Sequence, residues 1–184
     1  MLPNDTALLV VDVQTRLVPA ILGAPRIVWN CRRLLDAARL LGMRATITEQ
    51  NPEKLGPTVA ELSAAHAGAI AAKLAFSCGA CGEVFADWRE AGIERVLLCG
   101  IETHVCVAQT AFDLLAAGYQ VFVAADGVSS RSQLDHDIAL RRMESSGAAL
   151  TTVEAALFEW CQQAGTPEFR LISALVKEES PTMT

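Results

Sequence analysis

Short, continuously apolar runs alternate along this 184-residue chain with longer segments whose apolar residues recur at a helical spacing. The runs are 7-ALLVVDV-13, 44-RATIT-48, 69-AIAAK-73, 95-RVLLCGI-101, 120-QVFVAAD-126 and 149-ALTTV-153. None keeps a strict apolar-polar alternation, so each reads as a strand covered on both faces, the environment of a parallel sheet. Between the first two, 25-PRIVWNCRRLLDAARLLG-42 puts Ile27, Leu34, Leu35, Ala38 and Leu41 on one stripe and stops at Gly42. Further helical stretches cover roughly 79–91, 104–118 and 133–146, ending near Gly92, Gly118 and Gly147. Parallel strands joined by helices admit few arrangements, because the crossovers are right-handed. The pattern predicts an α/β fold, a single three-layer α/β/α domain over 1–178 with a mostly parallel, Rossmann-like doubly wound sheet. The segment 179-ESPTMT-184 has nothing to bury and reads as a frayed tail.

Composition removes several classes of function. Hydrophobic residues make up 52% of the chain, more than one soluble core of this size needs, which predicts a homo-oligomer with apolar surface in its interfaces. A net charge of −6 with no basic face predicts no nucleic-acid partner. The apolar runs are far shorter than the ~20 residues of a membrane-spanning helix, and 1-MLPNDTALL-9 has no basic stretch ahead of an apolar one. The expected location is therefore cytoplasmic, with the six cysteines as reduced thiols.

Open α/β sheets bind ligands at the carboxyl ends of their strands, so those ends carry the functional reading. The first run closes on Asp12 and then Gln14; the third closes on Lys73. A buried carboxylate needs a partner, and so does a buried ammonium; both needs are met if Asp12 and Lys73 share one pocket. The fourth run, 96-VLLCGI-101, breaks into Glu102, Thr103 and His104 before a helical period resumes at Cys106. A thiol at a helix start faces unpaired amides and the helix dipole, which favours the thiolate and predicts a lowered pKa. The same turn offers N–H groups for an oxyanion.

Taken together, 9-LVVDVQ-14, Lys73 with Phe76 and Ser77, and 100-GIETHVCV-107 resemble the isochorismatase-like cysteine hydrolases, a superfamily that includes nicotinamidases and carbamoylsarcosine amidohydrolases. The likeness continues through 126-DGVSSR-131, His136 and 147-GAALTTVE-154. It implies a catalytic triad of Asp12, Lys73 and Cys106, a non-proline cis peptide between Ile101 and Glu102, and an oxyanion hole built from the Glu102 and Cys106 amides. It also implies hydrolysis of an amide-like C–N bond in a small molecule. Gln14, Leu17, Glu49, Phe76 and Thr103 are candidate substrate contacts. Nicotinamidases carry an aspartate and histidines as metal ligands just after the second strand; here that region, 48-TEQNPEKLG-56, has no histidine, which predicts no metal and no cofactor. His66 lies downstream and reads as a surface residue. Family members that hydrolyse the vinyl ether of isochorismate include some without the cysteine, so Cys106 favours the amidase branch.

Two other chemistries compete. The pair Cys78 and Cys81 in 78-CGAC-81 has the spacing of thiol–disulfide oxidoreductases, although no proline-led strand follows to complete such a site. Cys106 could instead use His136, flanked by Asp135 and Asp137, in a Cys–His–Asp arrangement, whereas His104 falls on another side of the helix. Cys99 and Cys106 lack the spacing of zinc ligands, and no phosphate-binding glycine motif is present.

Overall fold

The computed structural model describes residues 1–181, so the last three residues of the expected tail, 182–184, lie outside the described residues. Six strands form one sheet: β1 (Thr6–Val11), β2 (Arg44–Gln50), β3 (Ile70–Lys73), β4 (Arg95–Ile101), β5 (Gln120–Ser129) and β6 (Ala149–Thr151). Their order is β3-β2-β1-β4-β5-β6 and every pairing between them is parallel. The order reverses between β1 and β4, so their carboxyl ends flank the crevice where such sheets take ligands.

The helices are α1 (Ala24–Leu40), α2 (Pro52–Leu55), α3 (Ala60–Ala65), α4 (Gly82–Glu90), α5 (Ala108–Ala116), α6 (Gln133–Ser145), α7 (Val153–Cys161) and α8 (Pro167–Val176). Side chains alternate across each strand, so the sheet feeds two cores. Leu8, Val10, Ile47, Leu97 and Cys99 pack under α1, α7 and α8 through Leu34, Leu157 and Ile172. On the other face, Leu9, Val11, Val96 and Leu98 meet Phe85 and Trp88 of α4, Leu114 of α5 and Met143 of α6. Phe85 and Trp88 stack edge to face with centroids 5.2 Å apart.

The expected rhythm is present, with shifts at the places where local chemistry overrides it. The run 149–153 ends early, because the Thr152 side chain accepts from the Ala155 amide and starts α7 at Val153. Helix α8 begins in the same way, with Thr166 as cap and Pro167 in the first turn, a start signal the apolar rhythm alone does not reveal. The stretch 79–91 starts later, at Gly82, after a 3-10 turn over Cys78–Ala80 whose Gly79 amide bonds the Ser77 hydroxyl. The stretch 104–118 divides into a π-helical turn, Thr103–Val107, followed by α5. Single π turns are uncommon and concentrate at functional sites.

Gly100 holds the sheet tight where this turn begins. It has φ of +111°, and a Cβ there would lie 2.2 Å from the Val11 carbonyl oxygen and 2.6 Å from its nitrogen. Backbone cannot yield as a flexible side chain does, so Gly100→Ala is expected to destabilise the fold by about 3 kcal/mol or more. In a chain of this size that lowers the thermal midpoint by roughly 10 °C. Thermal denaturation followed by circular dichroism checks it, and a midpoint equal to wild type would contradict the close approach of β1 and β4.

Candidate active site

Where β1 ends, the backbone turns abruptly. Asp12 has φ of +52°, in the left-handed region that aspartate enters more readily than most residues. Its amide reaches the Thr48 carbonyl at 3.2 Å, and its side chain is fully buried. One carboxylate oxygen, Oδ2, accepts from Lys73 Nζ at 2.6 Å, and the other, Oδ1, accepts from the Thr48 hydroxyl at 2.7 Å. Lys73 completes its coordination with the Phe76 carbonyl at 2.9 Å and Gln50 Oε1 at 3.3 Å. Two charges that would each be costly to bury alone therefore meet at the ends of β1 and β3. Burial alone would lower the lysine's pKa; the Asp12 carboxylate, helped by the Cys78 and Cys106 sulfurs, instead raises it.

Cys106 lies in the π turn after β4 and is buried. The expectation of a lowered thiol pKa is corrected. Burial, and next the Asp12 carboxylate, push it well above the ordinary value, with Lys73 opposing them. The dipole of one irregular turn is a weaker influence than desolvation and a full negative charge nearby. Burial and charge thus favour the neutral thiol over the thiolate beside Asp12.

The three polar residues that interrupt the fourth run serve one purpose. Glu102 Oε2 accepts from both the backbone N–H and the Nε of Arg131, each at 3.0 Å. Thr103 Oγ1 is 2.9 Å from His136 Nδ1, and His104 Nδ1 is 3.0 Å from the Ser130 hydroxyl. Three consecutive side chains thus tie the turn to the segment from the end of β5 to the first turn of α6. The Ile101–Glu102 peptide is cis.

The remaining candidates are placed as follows. Gln14 is fully buried with its amide committed: Nε2 donates to the Gln50 and Gly56 carbonyls at 3.0 and 2.7 Å, and Oε1 accepts from the Gln50 amide at 2.8 Å. Glu49 Oε1 accepts from the Thr58 amide and hydroxyl at 2.6 and 2.8 Å. Both help to hold the β2–α3 connection in place. Leu17 is half-buried against the core, Thr103 is buried in the turn, and Phe76 is 53% exposed beside Lys73. His136 is turned to Thr103, has its pKa lowered by burial, and lines a cavity of about 570 Å³ that none of Asp12, Lys73 and Cys106 reaches. Cys78 is buried and Cys81 half-buried; the Cys78 thiol sits 3.5 Å from the Thr48 hydroxyl, and burial followed by Asp12 pushes its pKa up to about 11. His66 is half-buried, with a ring nitrogen 3.4 Å from the Ala69 carbonyl. Among the described residues, no group of three or more His, Cys, Asp or Glu side chains could hold a metal ion. Sequence reading missed Thr48, Ser130 and Arg131. Thr48, a polar residue closing an apolar run as Asp12 and Lys73 do, had the same signal.

The family model of the isochorismatase domain matches residues 6–155. Mouse isochorismatase domain-containing protein 2A is 42% identical over 181 residues, covering 98% of this chain and 87% of that protein. A Caenorhabditis elegans structure described as the MAR1 ribonuclease superposes with a TM-score of 0.91 at 38% identity, over 100% of this chain and 95% of that one. The Escherichia coli YcaC structure, described as an octameric hydrolase of unknown specificity, gives 0.81 at 25% identity, over 96% and 86%.

The placement of Asp12 against the thiol has a consequence that needs no substrate. With its pKa raised, Cys106 forms its thiolate only at high pH, so its alkylation by iodoacetamide is expected to keep rising above the pH at which an ordinary cysteine has levelled off. Asp12→Asn removes the opposing charge and leaves Lys73 to act as counter-ion to the thiolate. The labelling curve, followed by peptide mass spectrometry, should then move to lower pH. A curve that stays in place or moves upward would contradict this geometry.

Proposed function

The chain belongs to the isochorismatase family, and from that premise we propose that it is a cysteine hydrolase cleaving the C–N bond of a small amide-like molecule. The observation that supports this best is the fully buried Asp12 carboxylate, held by Lys73 at 2.6 Å and facing the Cys106 thiol. In this reading Cys106 Sγ attacks the carbonyl carbon while its proton passes to Asp12. The thiol stays protonated until a substrate arrives, so the two negative charges are never present together at rest. Lys73 keeps Asp12 charged and orients it. The Glu102 and Cys106 amides receive the oxyanion, each worth about 3–4 kcal/mol in comparable sites. Asp12 then returns the proton to the departing nitrogen as the C–N bond breaks, leaving a thioester on Cys106. Water, deprotonated by Asp12, adds to the thioester, and collapse of the second tetrahedral intermediate releases the acid and gives the proton back to sulfur.

The competing chemistries find less support. A redox role for Cys78 and Cys81 requires an accessible, acidic thiol, whereas Cys78 is fully buried with its pKa raised to about 11. A Cys–His–Asp site requires a histidine on the thiol, and His136 is engaged by Thr103. Retention of Cys106 disfavours vinyl-ether hydrolysis. The exposed side chains Leu74, Phe76, Leu134 and Ile138 suit a homo-oligomer, in keeping with the octameric relative.

The test is a panel of small primary amides, carbamoyl compounds and hydroxamates, with an RNA oligonucleotide added because of the nematode relative's description. Hydrolysis of one amide-like class is expected, unaffected by EDTA. Cys106→Ala and Asp12→Asn should each cost about a thousandfold or more, and the double variant little beyond either, because the groups act as a unit. His136→Ala is expected to retain turnover. Activity surviving in Asp12→Asn while lost in His136→Ala would favour the Cys–His–Asp site and end the Asp–Lys–Cys reading.

A further inference from the structure

Glu102 presents an electrostatic difficulty. Its amide is assigned to the oxyanion, yet the side chain that carries its carboxylate is only 9% exposed and belongs to the same residue. A buried negative charge there opposes the negative charge that grows on the Cys106 sulfur and then on the substrate oxygen. Among the described residues, the cation within ion-pair distance of this carboxylate is Arg131, whose Nε lies 3.0 Å from Oε2. The Arg131 backbone N–H donates to that same oxygen, also at 3.0 Å. The arginine side chain is 63% exposed, so as a stability device the pair is worth little.

We propose that Arg131 is a positioning residue that neutralises Glu102 beside the nucleophile, so that the oxyanion turn can accept negative charge. The proposal rests on the assignment of Cys106 as nucleophile and the Glu102 amide as an oxyanion donor. The two bonds to Oε2 divide the work. The backbone N–H of Arg131 orients the carboxylate whatever side chain stands at 131, and the guanidinium supplies the charge. Thr103 to His136 and His104 to Ser130 hold the rest of the turn independently. Replacing the arginine side chain therefore removes charge while leaving most of the clamp.

The experiment follows two rates in the full-length protein: kcat on an amide that the wild type hydrolyses, and alkylation of Cys106 by iodoacetamide, which needs only the thiol. Arg131→Met is expected to slow both by about tenfold, with KM unchanged, as for a one-unit unfavourable shift in the energy of the charged state. Raising the salt concentration should not reproduce the loss in wild type, because the carboxylate is buried and poorly screened. Adding Glu102→Gln to Arg131→Met removes the opposing charge and should recover most of both rates. Arg131→Lys, which keeps the charge without the Nε contact, should fall between wild type and Arg131→Met. A double variant as slow as Arg131→Met or slower would show that the pair is only a clamp, and Arg131→Met at the wild-type rate would remove the role altogether. Failure of the nucleophile reading looks different: Cys106→Ala would then still hydrolyse the amide, while the alkylation arm would continue to report on Arg131.

Discussion

The buried ion pair between Asp12 and Lys73 is the contact around which the site is arranged. Neither charge is tolerable at that depth without the other, and neither residue can reach its position unless the sheet order places β1 and β3 on the two sides of β2. Asp12 takes up a left-handed backbone conformation at the end of its strand, and Thr48, a buried polar residue of the intervening strand, occupies the second oxygen. The result is a carboxylate with one oxygen on a cation and one on a hydroxyl, held at the switch point where β1 and β4 diverge. Backbone strain of this kind persists where surrounding contacts fix it, and functional sites are where it collects.

Set against that pair, the thiol of Cys106 acquires its character from burial and from Asp12. An isolated cysteine at a helix start is expected to be acidic, and on sequence alone that expectation was reasonable. The structure substitutes a single irregular turn for a regular helix end and brings a full negative charge to the thiol's side. Desolvation and that charge outweigh the dipole. In the proposed mechanism, a protonated thiol beside Asp12 keeps the site near neutral until a carbonyl arrives, and it leaves the proton on the group that next delivers it to nitrogen.

Much of this was legible in the residues because buried parallel strands have an unmistakable composition, and because polar residues closing apolar runs have to be explained by each other. Asp12, Lys73 and Cys106 stand out for that reason. The two carboxy-terminal helices were harder to see, since their signals are the caps Thr152 and Thr166 and not an extended amphipathic stripe. Gln14 and Glu49 look from sequence like polar groups at a strand end; the path of the β2–α3 connection shows that the Gln14 amide and one Glu49 oxygen also brace that connection. The links from Glu102, Thr103 and His104 to Arg131, His136 and Ser130 join segments some thirty residues apart, and no local pattern encodes such a pairing.

The central claim is that carbon becomes bonded to Cys106 during turnover. Acid quenching of the enzyme within the first turnover of an amide substrate, followed by intact-mass and peptide mass spectrometry, observes that bond directly. The expected result is a chain heavier by the acyl group, less one hydrogen, with the addition mapped to the Cys106 peptide and absent from Cys106→Ala. Rapid product formation with no acyl adduct on Cys106 at any quench time would contradict it.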